Sequence, residues 1–88
     1  MIEREFVVRN RLGLHARPAA LFVQTASRFR ADIKASKGGV EVNGKSVMGL
    51  MMLAAECGSK VKVLANGADE KPAVEALGEL FKRKFDEE

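Results

Sequence analysis

The chain predicts an α+β sandwich, an antiparallel sheet covered on one face by helices. Three observations carry this. Ala31-Asp32-Ile33-Lys34-Ala35-Ser36 and Lys60-Val61-Lys62-Val63-Leu64 alternate with a period of two, as half-buried strands do. The segments beginning near Ala16 and Asp69 carry apolar stripes at helical spacing. Gly38-Gly39 sits between two strand-like runs, the mark of a hairpin.

Phe6-Val7-Val8 closes a first strand, in which Ile2, Phe6 and Val8 share one face. Arg9 to Leu14 reads as a connecting loop. A helix is expected over about 16–29, with Ala19, Phe22, Val23, Ala26 and Phe29 as its stripe. The second strand turns at Gly38-Gly39 into Val40-Glu41-Val42, which Asn43-Gly44 ends. A second helix is expected to start near Ser46 and to stop before Gly58, a residue suited to terminating helices. Lys60 to Leu64 is the fourth strand, closed by a turn at Asn66-Gly67. Asp69 can cap a last helix, with Pro72 in its first turn and Val74, Leu77 and Phe81 as its stripe. The order is β-α-β-β-α-β-α. Periodicity does not reveal the order of strands in the sheet.

Composition narrows the function classes. The chain has 88 residues, room for one domain over 1–88 and too few for two. With 47% apolar and 31% charged residues it reads as globular, not disordered. No apolar run approaches the roughly 20 residues of a membrane helix. Met1-Ile2-Glu3-Arg4-Glu5 lacks the basic start and apolar stretch of a signal peptide. The single cysteine, Cys57, cannot form an internal disulfide and reads as a small packing residue. A cytoplasmic location is expected. The net charge of +3 is spread along the chain. Lys82-Arg83-Lys84 reads as a solvated helix face, too short for a nucleic-acid arm. Tryptophan and tyrosine are absent and the five phenylalanines mostly fit core positions, which leaves little for base stacking. Nucleic acid is therefore not an expected partner.

The chemistry centres on Gly13-Leu14-His15-Ala16-Arg17-Pro18. It places the only histidine at the foot of a helix. Helix N-termini present unpaired N–H groups and the positive end of the dipole, and so bind phosphate. Pro18 costs little in a first turn, where its missing N–H would have no partner. Gly13 allows the loop to bring backbone close to the imidazole. Imidazole has an unperturbed pKa of about 6.5, so a neutral ring nitrogen can attack phosphorus. A phosphoryl group there would meet the backbone N–H groups of Ala16 and Arg17 and the Arg17 guanidinium. No metal or cofactor is expected in that chemistry. A lone histidine would otherwise read as a helix cap or loop residue. Here the glycine, arginine and proline all fit one physical account. There is no second histidine or cysteine pair for a zinc site, and no Gly-x-Ser-x-Gly elbow for a hydrolytic triad. No residue stands out in the sequence as an acid to orient His15.

Gly39-Val40-Glu41-Val42-Asn43-Gly44-Lys45-Ser46 matches the Walker A pattern letter for letter. Val40-Glu41-Val42 is itself strand-like, however, where a nucleotide loop should wrap phosphate, so the match is rejected. Gly44-Lys45-Ser46 before a helix remains. Ser46 reads first as an N-cap and second as a site of regulatory phosphorylation. The helix it opens is apolar almost all round, and so small a domain should leave part of it exposed. Val47, Met48 and Met51 are the expected docking patch.

With Gly13 to Pro18 and Gly44-Lys45-Ser46-Val47-Met48-Gly49-Leu50-Met51 both in view, the chain resembles HPr over essentially its whole length. HPr is the histidine-containing phosphocarrier family of the bacterial phosphoenolpyruvate-dependent sugar phosphotransferase system. The resemblance implies an open-faced β-sandwich, with three helices on one face of a four-stranded antiparallel sheet. It implies that His15 accepts phosphate at Nδ1, the pros nitrogen, from phosphorylated enzyme I. The group then passes to enzyme IIA components, with Arg17 binding the phosphoryl oxygens. Ser46 matches the family's regulatory serine, the target of an HPr kinase/phosphorylase where a cell has one, with a transcriptional regulator as a further partner. Met48 and its neighbours match the family's shared docking surface. The chain is then a carrier and not a self-sufficient enzyme, and nothing demands more than a monomer. The alternative is a regulatory interaction module, of nitrogen or catabolite-control type, acting mainly through its phosphorylation state.

Overall fold

The computed structural model describes residues 1–87 of the chain. Its elements are β1 (Ile2–Val7), α1 (Ala16–Ala26), β2 (Asp32–Lys37), β3 (Val40–Asn43), α2 (Val47–Met52), β4 (Lys60–Asn66) and α3 (Glu70–Lys82). One further short turn spans Lys84–Asp86. The expected β-α-β-β-α-β-α order is the observed one.

The four strands form one antiparallel sheet in the order β1-β4-β2-β3. Register places the apolar residues of each strand on a common face. Phe6 lies opposite Val61, Ile2 opposite Ala65, Ile33 opposite Ala65, Ala35 opposite Val63 and Ala35 opposite Val42. That face packs against Ala19, Phe22 and Ala26 of α1, Leu50 of α2, and Val74, Leu77 and Phe81 of α3. The other face carries Glu3, Glu5, Lys34, Lys60 and Lys62 in solvent. The alternation read along β2 and β4 is this division between core and water. Its ion pairs, Lys62 with Glu3 at 3.8 Å and Lys34 with Glu41 at 3.6 Å, are exposed and contribute little.

The ends of the elements depart from the sequence expectation. α1 stops at Ala26, not Phe29, because the last turn tightens. Arg28 and Phe29 donate to Thr25 and Ala26, three residues back. The chain then swings so that the N–H groups of Arg30 and Ala31 meet the Asp69 carboxylate at 2.8 and 2.9 Å. Asp69 does stand at the N-cap position of α3, but its side chain makes no cap bond there. The Glu70 carboxylate instead accepts from the N–H of Gly67.

α2 is shorter than expected, ending at Met52. Gly58 does not terminate it; Ala54 takes the left-handed conformation at φ 49°. The Lys37 ammonium donates to the carbonyls of Leu53 and Ala54, the kind of cationic cap that suits a helix C-terminus. Leaving the helix early lets the Ala55 carbonyl accept from Leu14 N–H at 2.8 Å, just before His15. Cys57 falls in the turn beyond, exposed, with its thiol 3.7 Å from the Arg9 carbonyl; it does not pack in the core.

Candidate functional site

The loop from β1 to α1 is fixed at several points. Val8 and Gly58 exchange bonds with their neighbours across the loop, Val8 N–H to Ser59 and Gly58 N–H to Val8. Gly13 has φ +73°, and a Cβ there would collide with the carbonyl oxygen of Ala55. Only glycine fits both that backbone region and that close approach. Asn10 is fully buried, and its amide Nδ2 donates to the Gly13 carbonyl. The loop therefore delivers His15 to the helix start in one orientation.

His15 is the N-cap residue of α1, in extended backbone at φ −81° and ψ −170°, and its side chain makes no cap bond. Its carbonyl accepts from Ala19 N–H at 2.9 Å. The first-turn N–H groups of Ala16 and Arg17 are thus left for another acceptor, and Pro18 has none to offer. The imidazole is about one-third exposed. Its Nε2 lies 3.0 Å from both oxygens of Glu87. Among the described residues Nδ1 has no hydrogen-bond partner. The Arg17 side chain is exposed and lines a cleft with Arg11, Leu12, Asp86 and Glu87. The positive helix end with its open N–H groups can receive an anionic group.

Glu87 is the residue the sequence reading missed: an acid on His15 is present after all. Its carboxyl is held below the usual glutamate range. Partial burial pushes it up, but the hydrogen bonds from His15 and Asn10 and the charges of His15 and Arg17 outweigh that. The contact spans the chain from end to end of the fold, so no local pattern marks it. One signal was available. Phe85 is an isolated aromatic in the charged run Lys82-Arg83-Lys84-Phe85-Asp86-Glu87, which forecasts that this segment folds back to bury it.

Ser46 is the N-cap of α2, and its Oγ accepts from Gly49 N–H at 3.0 Å. Lys45, the lysine of the Walker-like match, donates its ammonium to the Phe29 carbonyl at 2.7 Å. Residues 40–43 of that match are strand β3. Of the expected patch, Met48 and Met51 are exposed, whereas Val47 is half-buried against the core. Val47 packs inward because the face of α2 that carries Leu50 seats on the core. Met52 and Leu12, which the expectation omitted, are exposed as well. Met51 and Leu12 line a groove with His15, Ala55 and Glu56. Ser46 opens α2, a helix about 9 Å long, and Met51 near its other end is the methionine that shares the groove with His15. Among the described residues no three His, Cys, Asp or Glu cluster to hold a metal. No helix among them is long and apolar enough to cross a membrane.

Comparison with known proteins bears on the family and the fold. A family model described as PTS HPr component phosphorylation site matches residues 2–83. The phosphocarrier protein HPr of Xylella fastidiosa is 49% identical over 88 residues, covering 100% of this chain and 99% of that protein. The crystal structure of HPr-C-His from Thermoanaerobacter tengcongensis superposes with TM-score 0.96 at 50% identity, covering 100% of this chain and 99% of the other. Crh, the Bacillus subtilis catabolite repression protein, superposes with TM-score 0.76 at 46% identity, covering 96% and 97%. That structure is a dimer with a swapping domain.

Proposed function

This chain belongs to the HPr phosphocarrier family, and on that premise we propose that it carries a phosphoryl group on His15. The observation that carries the reading is the helix start itself. An imidazole whose Nδ1 has no partner among the described residues caps a helix whose first-turn N–H groups, those of Ala16 and Arg17, are open, and Arg17 lines a cleft with the Glu87 that the ring contacts. Nδ1 attacks the phosphorus of a donor phosphohistidine, and the N–P bond to the donor breaks. The Ala16 and Arg17 donors hold the phosphoryl oxygens. Attack by an acceptor reverses the chemistry. The donor is phosphorylated enzyme I and the acceptors are enzyme IIA components, as the family membership implies. No cofactor takes part, and catalysis is shared with the partner, so the chain acts as a carrier and not as an enzyme in its own right. Residues 1–88 act as a single domain and as a monomer in the cytoplasm.

Met48 and Met51, joined by Met52 and Leu12, supply a flexible apolar surface on which several partners can dock beside His15. Phosphorylation of Ser46 would add charge at the edge of that surface and hinder docking there. A second reading, a regulatory module acting mainly through its phosphorylation state, draws on the likeness to Crh. The test compares wild type with His15→Ala in label uptake from phosphoenolpyruvate through enzyme I. Acid-labile, base-stable phosphate on wild type alone is the expected result. No label on either, with the enzyme I active on a control acceptor, would contradict the carrier reading and favour the regulatory one.

A further inference from the structure

The segment after α3 turns with the opposite hand. Lys84, Phe85 and Asp86 have φ of 56°, 53° and 60°. Consecutive L residues do not adopt that region without something to hold them there. Phe85 supplies the hold. It is almost fully buried, and its ring meets Phe81 edge to face at 5.0 Å. Arg83 pairs with Asp86 at 3.2 Å across the turn. The turn brings the Glu87 carboxylate onto the imidazole.

Asn10 secures that carboxylate from below. Its Nδ2 donates to Glu87 Oε1 at 3.1 Å as well as to the Gly13 carbonyl. Both partners are acceptors only, so the amide can face them only with its nitrogen. The cost is that the buried Oδ1 has no partner among the described residues. A buried side chain that leaves its own acceptor unpaired to tie a loop to a carboxylate marks a site built around that carboxylate.

We propose that Glu87 is a positioning residue for His15: its carboxylate accepts the Nε2–H and so holds the neutral ring in the tautomer whose lone pair is on Nδ1. This rests on the carrier reading above and adds the group that orients its nucleophile. A carboxylate cannot donate, so the proton between them belongs to Nε2. When Nδ1 forms its bond to phosphorus, the donor's N–P bond breaks and its electron pair stays with the donor nitrogen. The ring keeps the Nε2 proton and gains a positive charge shared between its nitrogens, which the carboxylate faces at 3.0 Å. On transfer out, the N–P electron pair returns to Nδ1 and the ring is again neutral, with Nε2 protonated. No proton has to move in either direction. The other charged groups of the two adjoining clefts are Glu56 beyond α2, which lines one with the ring, and Arg17 of α1, Arg11 of the preceding loop and Asp86 of the turn, which line the other with Glu87. All four remain when Glu87 is replaced.

The test is nitrogen-15 NMR of the imidazole in the unphosphorylated full chain, paired with label uptake through enzyme I. Wild type should show Nε2 protonated and Nδ1 bare at a pH where the ring is neutral. Glu87→Ala should move both resonances toward the averaged positions of a tautomer mixture and slow label uptake about tenfold. Glu87→Gln keeps the size and removes the charge, and should slow uptake in the same direction should the alanine variant fold poorly. Unmoved ring resonances and unchanged uptake in the folded variants would overturn the proposal and leave His15 as a carrier. A correct tautomer with no label on wild type would instead contradict the carrier reading.

Discussion

Two helix starts in this molecule present a modifiable residue at the N-cap, and they are wired in opposite ways. At α2 the Ser46 hydroxyl accepts from Gly49 N–H, so the cap closes on its own helix. At α1 the His15 ring makes no such bond and is turned to Glu87, so the first-turn donors stay open. Four unpaired N–H groups begin any helix. What differs is whether the cap consumes them. The closed start is a local stability device. The open start forgoes that stability and can receive an anion.

The contrast can be broken at several points. The largest effect should come from Gly13→Ala, which forces a side chain into a positive-φ position and against the Ala55 carbonyl. A loss of about 2–4 kcal/mol is expected, read from the urea midpoint. A variant as stable as wild type would mean that the loop is not held as described. Arg17→Ala takes away the guanidinium proposed to bind the phosphoryl oxygens, and should slow label uptake about 10–100-fold with the fold intact. Unchanged uptake would take the guanidinium out of the site.

Ser46→Ala sharpens the comparison from the other side. It opens the closed cap and should cost about 1 kcal/mol of stability while leaving unphosphorylated transfer near wild type. Ser46→Asp restores an acceptor and should recover that stability. If alanine costs nothing, the closed cap carries no weight. The smallest effect belongs to Asp69, whose carboxyl is held below its ordinary value of 3.8, chiefly by the N–H of Arg30 and also by that of Ala31, against some desolvation. A depressed carboxylate contributes stability that is present above its unfolded value and lost as pH falls through the folded one. The stability gap between wild type and Asp69→Asn should therefore be full near neutrality and close as the solution is acidified below 3.8. A gap that widens with acid would contradict this.

The two helix starts were unequally legible in the sequence. Ser46 reads correctly as an N-cap because capping is a local signal. His15 at a helix foot, with Gly13 and Pro18 around it, is local as well. The alternation in β2 and β4 and the stripes of α1 and α3 likewise need only near neighbours. What the sequence hid is long-range. α2 ends just before the Leu53, Ala54 and Ala55 carbonyls that Lys37 and Leu14 use, although Met-Leu-Ala-Ala would continue a helix on propensity alone. Val47 faces inward because of where α2 seats on the core. Glu87 reaches His15 only through three left-handed residues that burial of Phe85 holds in place. The Gly13 to Pro18 motif was therefore readable, and the carboxylate that meets its histidine was not.

The open start of α1 is tested most directly by backbone amide NMR before and after phosphorylation of His15. The account predicts large downfield shifts at Ala16 and Arg17 as their N–H groups take up phosphoryl oxygens, with little change at Val47 to Gly49. Shifts absent at Ala16 and Arg17, or as large at the start of α2, would contradict it.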